Sequence, residues 1–106
     1  MRISFERSGG FAGITMKTAV DEEDLAPGEA QKLRQLVEEA DFFNSPGKIT
    51  SRSPQPDRFQ YELKLEEKGR QHTVTMSEEA MPPKLKPLVN WLMEKARQAS
   101  KGKISR

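Results

Sequence analysis

The chain has 106 residues, of which 34% are hydrophobic and 32% charged, enough for one compact domain with a modest core and too few for two. It contains no cysteine, which excludes a disulfide framework and a thiol nucleophile and favours a reducing compartment, the cytoplasm. No apolar run has the length of a signal peptide or approaches the ~20 residues of a membrane span, so we expect a soluble, unprocessed protein.

The formal net charge of +2 is unevenly distributed along the chain. Residues 1–53 carry 7 Lys or Arg and 9 Asp or Glu, whereas residues 54–106 carry 11 and 7. A basic C-terminus can neutralise phosphates, but here no aromatic residues alternate with the basic ones to stack on bases. We therefore predict a solvated helix end that complements the helix dipole. The expected division is a domain at 1–99 and a flexible basic tail at 100–106.

The first predicted hairpin surrounds a glycine-rich turn. Ile3 and Phe5 alternate with polar residues, and the same period of two returns over residues 14–20, which is typical of half-buried strands. The turn between them, residues 7–14, contains three glycines, which tolerate positive φ and leave space for the backbone of a partner. Two interpretations stay open: Phe11 is presented to a partner, or it folds back onto the sheet and closes the core.

An acidic stretch and an amphipathic helix follow this hairpin. The carboxylates of residues 21–24 suggest a metal site or a basic partner, but acidic residues just before a helix more often complement the positive end of its dipole. Pro27 suits the first helical turn, and the helix is predicted to end near residues 44–47. Its apolar stripe, which we expect to pack on the sheet, comprises Ala30, Leu33, Leu36, Val37, Ala40 and Phe43.

The connection over residues 46–58 is rich in proline and shows no periodicity. Connections of about a dozen residues are long for a compact domain and are usually functional or disordered. Pro54 and Pro56 stiffen the approach to Asp57. This stiffness reduces the entropy lost when that carboxylate is held against a partner.

A second hairpin and a second helix complete the chain. Alternation over residues 59–66 and 72–76 predicts two strands, joined by a turn at residues 68–70. Paired prolines at 82–83 suit the start of the last helix. Trp91 lies on the flank of its inner stripe, which comprises Leu85, Leu88, Val89, Leu92 and Ala96.

The order of predicted elements is ββαββα in one domain. We predict an α+β fold in which an antiparallel-rich, four-stranded sheet carries two helices packed on one face. If the first helix runs back toward the glycine-rich turn, that turn and Asp57 share one end of the sheet. The strand exit near residues 80–81 would join them there, whereas Asp21 and Asp24 would lie at the opposite end.

Patterns typical of catalysis are largely missing. His72 is the only histidine, and alternation places it on the same face as Val74 and Met76, which favours a structural role. No serine lies in a nucleophile-elbow sequence, and the glycines of residues 9–13 lack the lysine of a phosphate loop. An enzyme is therefore the less favoured class, with a hydrolase using Asp57 and His72 as a minor alternative. We expect no cofactor.

Four spaced motifs carry a resemblance to a known family. The motifs are residues 3–14 (ISFERSGGFAGI), 36–43 (LVEEADFF), 56–61 (PDRFQY) and 77–82 (SEEAMP). Together and in register they resemble the emfourin family, bacterial inhibitors of protealysin-like and thermolysin-like zinc metallopeptidases. The resemblance implies an inhibitor with two neighbouring loops: one offers an aspartate to the catalytic zinc of the protease, and the other offers apolar side chains to its substrate pockets.

The resemblance leads to specific site predictions. Asp57 fits the aspartate directed at zinc best, because it lies in the long loop and, in the predicted topology, near the glycine-rich turn. A carboxylate oxygen can take the open coordination position of the zinc at roughly 2.0–2.2 Å. The alternative for Asp57 is a turn residue or an ion pair with its neighbour. Phe11 is the candidate for the apolar pocket, with Ala12 and Ile14 beside it. The predicted secondary contacts are Gly10, Pro56, Arg58 and Met81.

The expected partner is a thermolysin-like metallopeptidase that carries its own catalytic zinc. We expect no membrane partner, no nucleic acid and no self-association, so the predicted state is a monomer in the bacterial cytoplasm. The alternative function is that of a small non-enzymatic interaction module, associated with nucleic acid through the basic C-terminal tail.

Overall fold

The computed structural model describes residues 1–9, 15–49 and 59–104. Their regular elements are β1 (Arg2–Gly9), β2 (Met16–Asp21), α1 (Pro27–Ala40), β3 (Lys48–Ile49), β4 (Phe59–Glu67), β5 (Arg70–Ser77) and α2 (Lys86–Ile104). Short 3-10 turns cover Glu22–Asp24, Phe42–Asn44, Glu78–Ala80 and Pro83–Leu85. Within these ranges, neither helix is long and apolar enough to cross a membrane. The division into a domain and a tail at residue 100 stays a prediction.

The described strands form one sheet in the order β2-β1-β4-β5-β3. β1 pairs antiparallel with β2 and β4, β4 pairs antiparallel with β5, and β3 runs parallel to β5. The predicted α+β class with two helices is confirmed. The predicted four-stranded sheet is corrected to a mixed sheet of five strands, because β3 has only two residues and therefore leaves no alternation in the sequence.

Alternation along the strands separates an inner face from a polar face. The inner-face residues of the sheet and the apolar stripes of both helices form a single core cluster, so the helices cover one face as predicted. Its largest fully buried members are Phe5, Phe42, Ile3, Leu33, Leu63, Leu65, Met76, Leu85, Leu88 and Leu92. The other face carries partly or fully exposed polar residues such as Ser4, Glu6 and Glu62.

α1 ends at Ala40, earlier than the predicted boundary near residues 44–47. Asp41 adopts a left-handed conformation with φ of 50°, and its N–H donates to the carbonyl oxygens of Val37 and Glu38, which terminates the helix. The change of direction alters the helical phase. As a result Phe42 is 1% exposed in the core, whereas Phe43, the residue predicted from the helical spacing, is only half-buried.

The two ends of the sheet are distinct. We call the end with Gly9, Met16, Ile49, Phe59 and Ser77 the anchor end, and the end with Arg2, Asp21, Glu67 and Arg70 the hairpin end.

The first helix does not return the chain to the anchor end, contrary to the sequence-based expectation. Arg34, in the middle of α1, contacts Glu67 at the hairpin end with Nη1 and Oε2 3.2 Å apart. Just after α1, the ring of Phe43 lies 3.9 Å from the guanidinium carbon of Arg70, also at the hairpin end. The chain reaches the anchor end through β3, which runs in the same direction as β5.

Candidate functional site

At the anchor end, the residue that precedes the segment 10–14 and the residue that follows the segment 50–58 are neighbours. Gly9, the last residue of β1, and Phe59, the first of β4, are direct cross-strand partners. In the β1–β2 ladder the N–H of Glu22 donates to the carbonyl of Met1 at 2.9 Å, which fixes the alternation of backbone groups along β1. By that alternation Gly9 and Phe59 form a non-hydrogen-bonded pair, whose Cα atoms lie about 4.5 Å apart in antiparallel sheets.

The backbone of Phe59 is held by a carboxylate. Gln60 pairs with Ser77, the last residue of β5, and this is the last pair of the β4–β5 ladder at the anchor end. Phe59 therefore has no partner residue in β5. There the N–H of Phe59 donates to Oε1 of Glu78 at 3.2 Å. The side chain of Glu78 thus replaces a strand partner and ties the start of β4 to the exit of β5.

The short strand β3 supplies a third attachment point at the anchor end. Ile49 is the Cα partner of Met76, and the N–H of Thr75 donates to the carbonyl of Gly47 at 2.9 Å. β3 and β4 lie on opposite sides of β5. Ile49 and Phe59, the described residues on either side of 50–58, therefore belong to strands on opposite sides of β5, and Phe59 pairs with β1.

Gly9 ends β1 with a backbone conformation that favours glycine. Its φ of 98° lies in a region that residues with a Cβ atom rarely adopt. A glycine at this position therefore lets the chain leave β1 toward the segment 10–14 without backbone strain.

A cationic side chain lies beneath the two attachment points, on the inner face of the sheet. The guanidinium carbon of Arg7 is 4.2 Å from the ring centroid of Phe59, a cation–π contact. Its Nη1 lies 3.6 Å from the sulfur of Met93 in α2. Its Nε is buried and has no hydrogen-bond partner in the described part of the chain. Arg7 thus connects β1, the start of β4 and α2.

Most of the predicted site residues lie outside the described residues, and their predictions stay predictions. Met81, a predicted secondary contact, is described: it is half-buried, packs against the core cluster, and its N–H donates to the carbonyl of Glu78 at 3.5 Å. The residues outside the described ranges are Gly10, Phe11, Ala12, Ile14, Pro56, Asp57 and Arg58.

His72 has structural contacts, in agreement with the role expected from its strand position. Its Nε2 lies 2.6 Å from the carbonyl oxygen of Ser45, where it acts as the donor in the matching tautomer. The rings of Phe42 and Phe43 lie 5.7 and 6.5 Å from the imidazole, measured between centroids. Over residues 1–9, 15–49 and 59–104 no three His, Cys, Asp or Glu side chains form a group that could hold a metal ion.

The hairpin end of the sheet carries a cluster of ion pairs. Nη2 of Arg34 donates to Oε1 of Glu22 at 2.7 Å, and its Nη1 contacts Glu67 at 3.2 Å. The amino group of Met1 lies 3.6 Å from Oε1 of Glu22. The hydrogen bond from Arg34 lowers the pKa of Glu22 below its ordinary value, and the positive charges of Arg34 and the N-terminus act in the same direction.

Sequence reasoning missed two residues of the anchor end. Arg7 was available from the pattern, since it continues the inward alternation of Ile3 and Phe5 and is a charged residue at a core-facing position. Glu78 had no such signal, because its partner Phe59 is distant in sequence and the contact depends on where β4 and β5 end.

The comparisons with known proteins address the family directly. No curated protein and no solved structure matches the chain. The model of one family, Emfourin, matches residues 5–93, which include all described parts of the anchor end and both undescribed internal segments. This match covers most of the 106-residue chain, in agreement with the resemblance seen in the four motifs. The chain therefore belongs to the emfourin family.

Proposed function

We propose that this protein inhibits a thermolysin-like, protealysin-like zinc metallopeptidase by placing the segments 10–14 and 50–58 in its active site. The observation that carries the proposal is the cross-strand pair of Gly9 and Phe59, which attaches both segments to adjacent strands. Membership of the emfourin family supports the class of target. Two adjacent segments suit an active-site cleft because they can enter it together.

Covalent geometry limits how far apart the two proposed contact residues can be. Phe11 follows Gly9 by two residues and Asp57 precedes Phe59 by two, and two residues span at most about 7 Å. With about 4.5 Å between the paired Cα atoms, covalent geometry allows at most about 20 Å between the Cα atoms of Phe11 and Asp57. This upper limit supports the proposal that the two segments contribute to one contact surface.

Asp57 is the proposed zinc-directed residue. The catalytic zinc of a metallopeptidase keeps one position open for water or substrate, and a carboxylate oxygen can occupy it. The carboxylate presents no scissile peptide, so the inhibitor is expected to stay intact. The hydrogen bond from the N–H of Phe59 to Glu78 fixes the residue at which the segment with Asp57 joins β4.

Phe11, Ala12 and Ile14 are the proposed contacts with the apolar substrate pockets. Full burial of a Phe side chain contributes ~1.5–3 kcal/mol, and an aromatic anchor in a desolvated pocket is a common hot spot. Secondary contacts are proposed for Gly10, Pro56, Arg58 and Met81. In this arrangement the protein is not an enzyme and holds no cofactor of its own, and the bacterial cytoplasm is the proposed compartment.

Titration of a thermolysin-like enzyme tests the proposal. Wild-type protein is expected to inhibit, and Asp57→Ala is expected to raise the inhibition constant about 30-fold or more, since truncation of a hot spot costs at least ~2 kcal/mol. Asp24→Ala is the matched control, because Asp24 is exposed in the 3-10 turn that follows β2 at the hairpin end.

The outcomes separate the function from the residue assignment. An absence of inhibition by wild-type protein would contradict the proposed function. Inhibition that Asp57→Ala leaves unchanged would preserve the function and place the zinc ligand at another residue. Equal losses in Asp57→Ala and Asp24→Ala would indicate a general effect of charge.

A further inference from the structure

The outer edge of β2 has no partner strand in the described part of the chain. β2 is the first strand of the order β2-β1-β4-β5-β3 and pairs only with β1. An edge strand leaves backbone N–H and C=O groups available for another chain. β2 has six residues and contains no proline, so its edge can accept a ladder of several hydrogen bonds.

The alternation of the β1–β2 ladder identifies which backbone groups point outward. The hydrogen bond from Glu22 N–H to the carbonyl of Met1 places the N–H and C=O groups of alternate residues toward β1. The residues directed to β1 are Met16, Thr18 and Val20. The residues directed to the free edge are Lys17, Ala19 and Asp21.

We propose that a second copy of this chain pairs along the β2 edge, antiparallel and centred on Ala19. Ala19 then faces Ala19 of the second copy, and Lys17 faces Asp21 of the second copy on both sides of the twofold axis. Each of these facing pairs exchanges two backbone hydrogen bonds, because every member directs its groups outward. The two sheets form one continuous sheet.

Side-chain charge selects the same register. Lys17 and Asp21 lie on the polar face of the sheet, and directly opposed residues have Cβ atoms about 4.5–5.5 Å apart, close enough for an ion pair. Oδ1 of Asp21 accepts from the N–H of Glu23 at 3.1 Å, which leaves Oδ2 for this lysine. Centring the pairing on Lys17 or on Asp21 would oppose like charges.

The side chains at the twofold axis and on the inner face of the sheet are also compatible with this pairing. The methyl group of Ala19 is exposed and small enough to meet its copy at the twofold axis. On the inner face, half-buried Thr18 would face Val20 of the second copy, a pair of β-branched side chains that suits a sheet. The anchor ends of the two copies point in opposite directions, so each stays accessible in the dimer. The inference is argued from the β2 edge alone and does not depend on the proposed function. It revises the monomer expected from the sequence.

Sedimentation equilibrium of the full chain measures this association. An edge of this length buries little surface, so we expect a weak dimer that forms between about 10 µM and about 1 mM. The weight-average mass of the wild type should rise over this range from 12.0 kDa toward twice that value. A constant 12.0 kDa up to the highest concentration would overturn the proposal.

A charge exchange tests the register. Lys17→Glu alone opposes two acidic residues and Asp21→Lys alone opposes two lysines, so each variant should remain monomeric over the same range. Mixed in equal amounts, the two variants restore two opposite-charge pairs and should form a heterodimer. The double variant Lys17→Glu/Asp21→Lys should dimerise with itself. A mixture that stays monomeric while the wild type dimerises would overturn this register.

Two controls separate edge pairing from loss of fold. Lys32→Glu makes the same charge change at an exposed position of α1 and should leave dimerisation unchanged. Ala19→Pro removes an outward N–H without touching the β1 ladder, and should abolish dimerisation while circular dichroism stays that of the wild type. Dimerisation that persists in a folded Ala19→Pro protein would contradict pairing at this edge.

Discussion

The hairpin end and the anchor end of the same sheet are held by different kinds of contact. At the hairpin end the chain reverses through Lys68 and Gly69, with φ of 49° and 80°, the values of a two-residue type I′ turn. The ion pairs of Arg34 lie beside it. At the anchor end, β1 and β4 stop side by side, and the start of β4 is held by Glu78 and Arg7.

This difference separates a closed end of the sheet from an end where two internal segments are attached. A tight turn and a cluster of charges close the hairpin end. The anchor end fixes the positions where two longer segments begin and end, which is the arrangement that binding segments need on a rigid scaffold. Substitutions at the two ends should therefore have separable effects on stability and on inhibition.

Beside Asp57→Ala, the largest effect is expected from Phe11→Ala. Loss of ~1.5–3 kcal/mol of burial in the protease pocket should raise the inhibition constant about 10- to 100-fold, with an unchanged melting temperature. Inhibition assays and thermal denaturation of the free protein measure the two quantities. A lower melting temperature with intact inhibition would instead support the interpretation in which Phe11 closes the core.

A smaller effect on inhibition is expected from Glu78→Ala. This change removes the acceptor of the Phe59 N–H, and a hydrogen bond contributes ~1 kcal/mol, so the inhibition constant should rise about fivefold. Glu79→Ala is the matched control, since Glu79 is the adjacent, exposed carboxylate of the same 3-10 turn. Equal constants for the two variants would show that the anchoring of Phe59 does not affect binding.

At the hairpin end, Arg34→Met should change the pH dependence of stability and leave inhibition unchanged. Because the pKa of Glu22 is lowered in the folded state, its ion pair stabilises the protein at neutral pH, and this contribution is lost as the pH falls through the lowered pKa. The variant should therefore melt at a lower temperature at pH 7, and the difference from wild type should diminish below the ordinary pKa of Glu. A difference that is constant with pH would indicate lost packing instead.

The smallest effect is expected from neutralising the C-terminal charges with Lys101→Gln, Lys103→Gln and Arg106→Gln together. Inhibition should not change, because the proposed contacts lie in the segments attached at the anchor end. Binding to short duplex DNA, measured by fluorescence anisotropy, should be absent in both proteins. Binding by the wild type that is lost in the variant would favour the alternative function of a nucleic-acid-associated module.

Local pattern predicted much of the fold. The period of two predicted the inner faces of β1, β4 and β5, and all five residues predicted for the inner stripe of the second helix are buried, with Leu85 in the 3-10 turn that precedes α2. It failed where the structure departs from a regular period: at β3, which is too short to show one, and at Asp41, whose left-handed conformation ends α1 early. Neither feature has a periodic signal in the sequence.

The sequence by itself determined which side chains face the core along the regular strands and helices, and its motifs named the family and the candidate contacts Phe11 and Asp57. These properties are readable because burial repeats with the period of a strand or a helix. Only the tertiary structure decided that β1 lies between β2 and β4, that Gly9 faces Phe59, and that Glu78 holds the start of β4. Such pairings join residues far apart in the chain, and they are fixed by the packing of the whole sheet against its helices, so no local pattern specifies them.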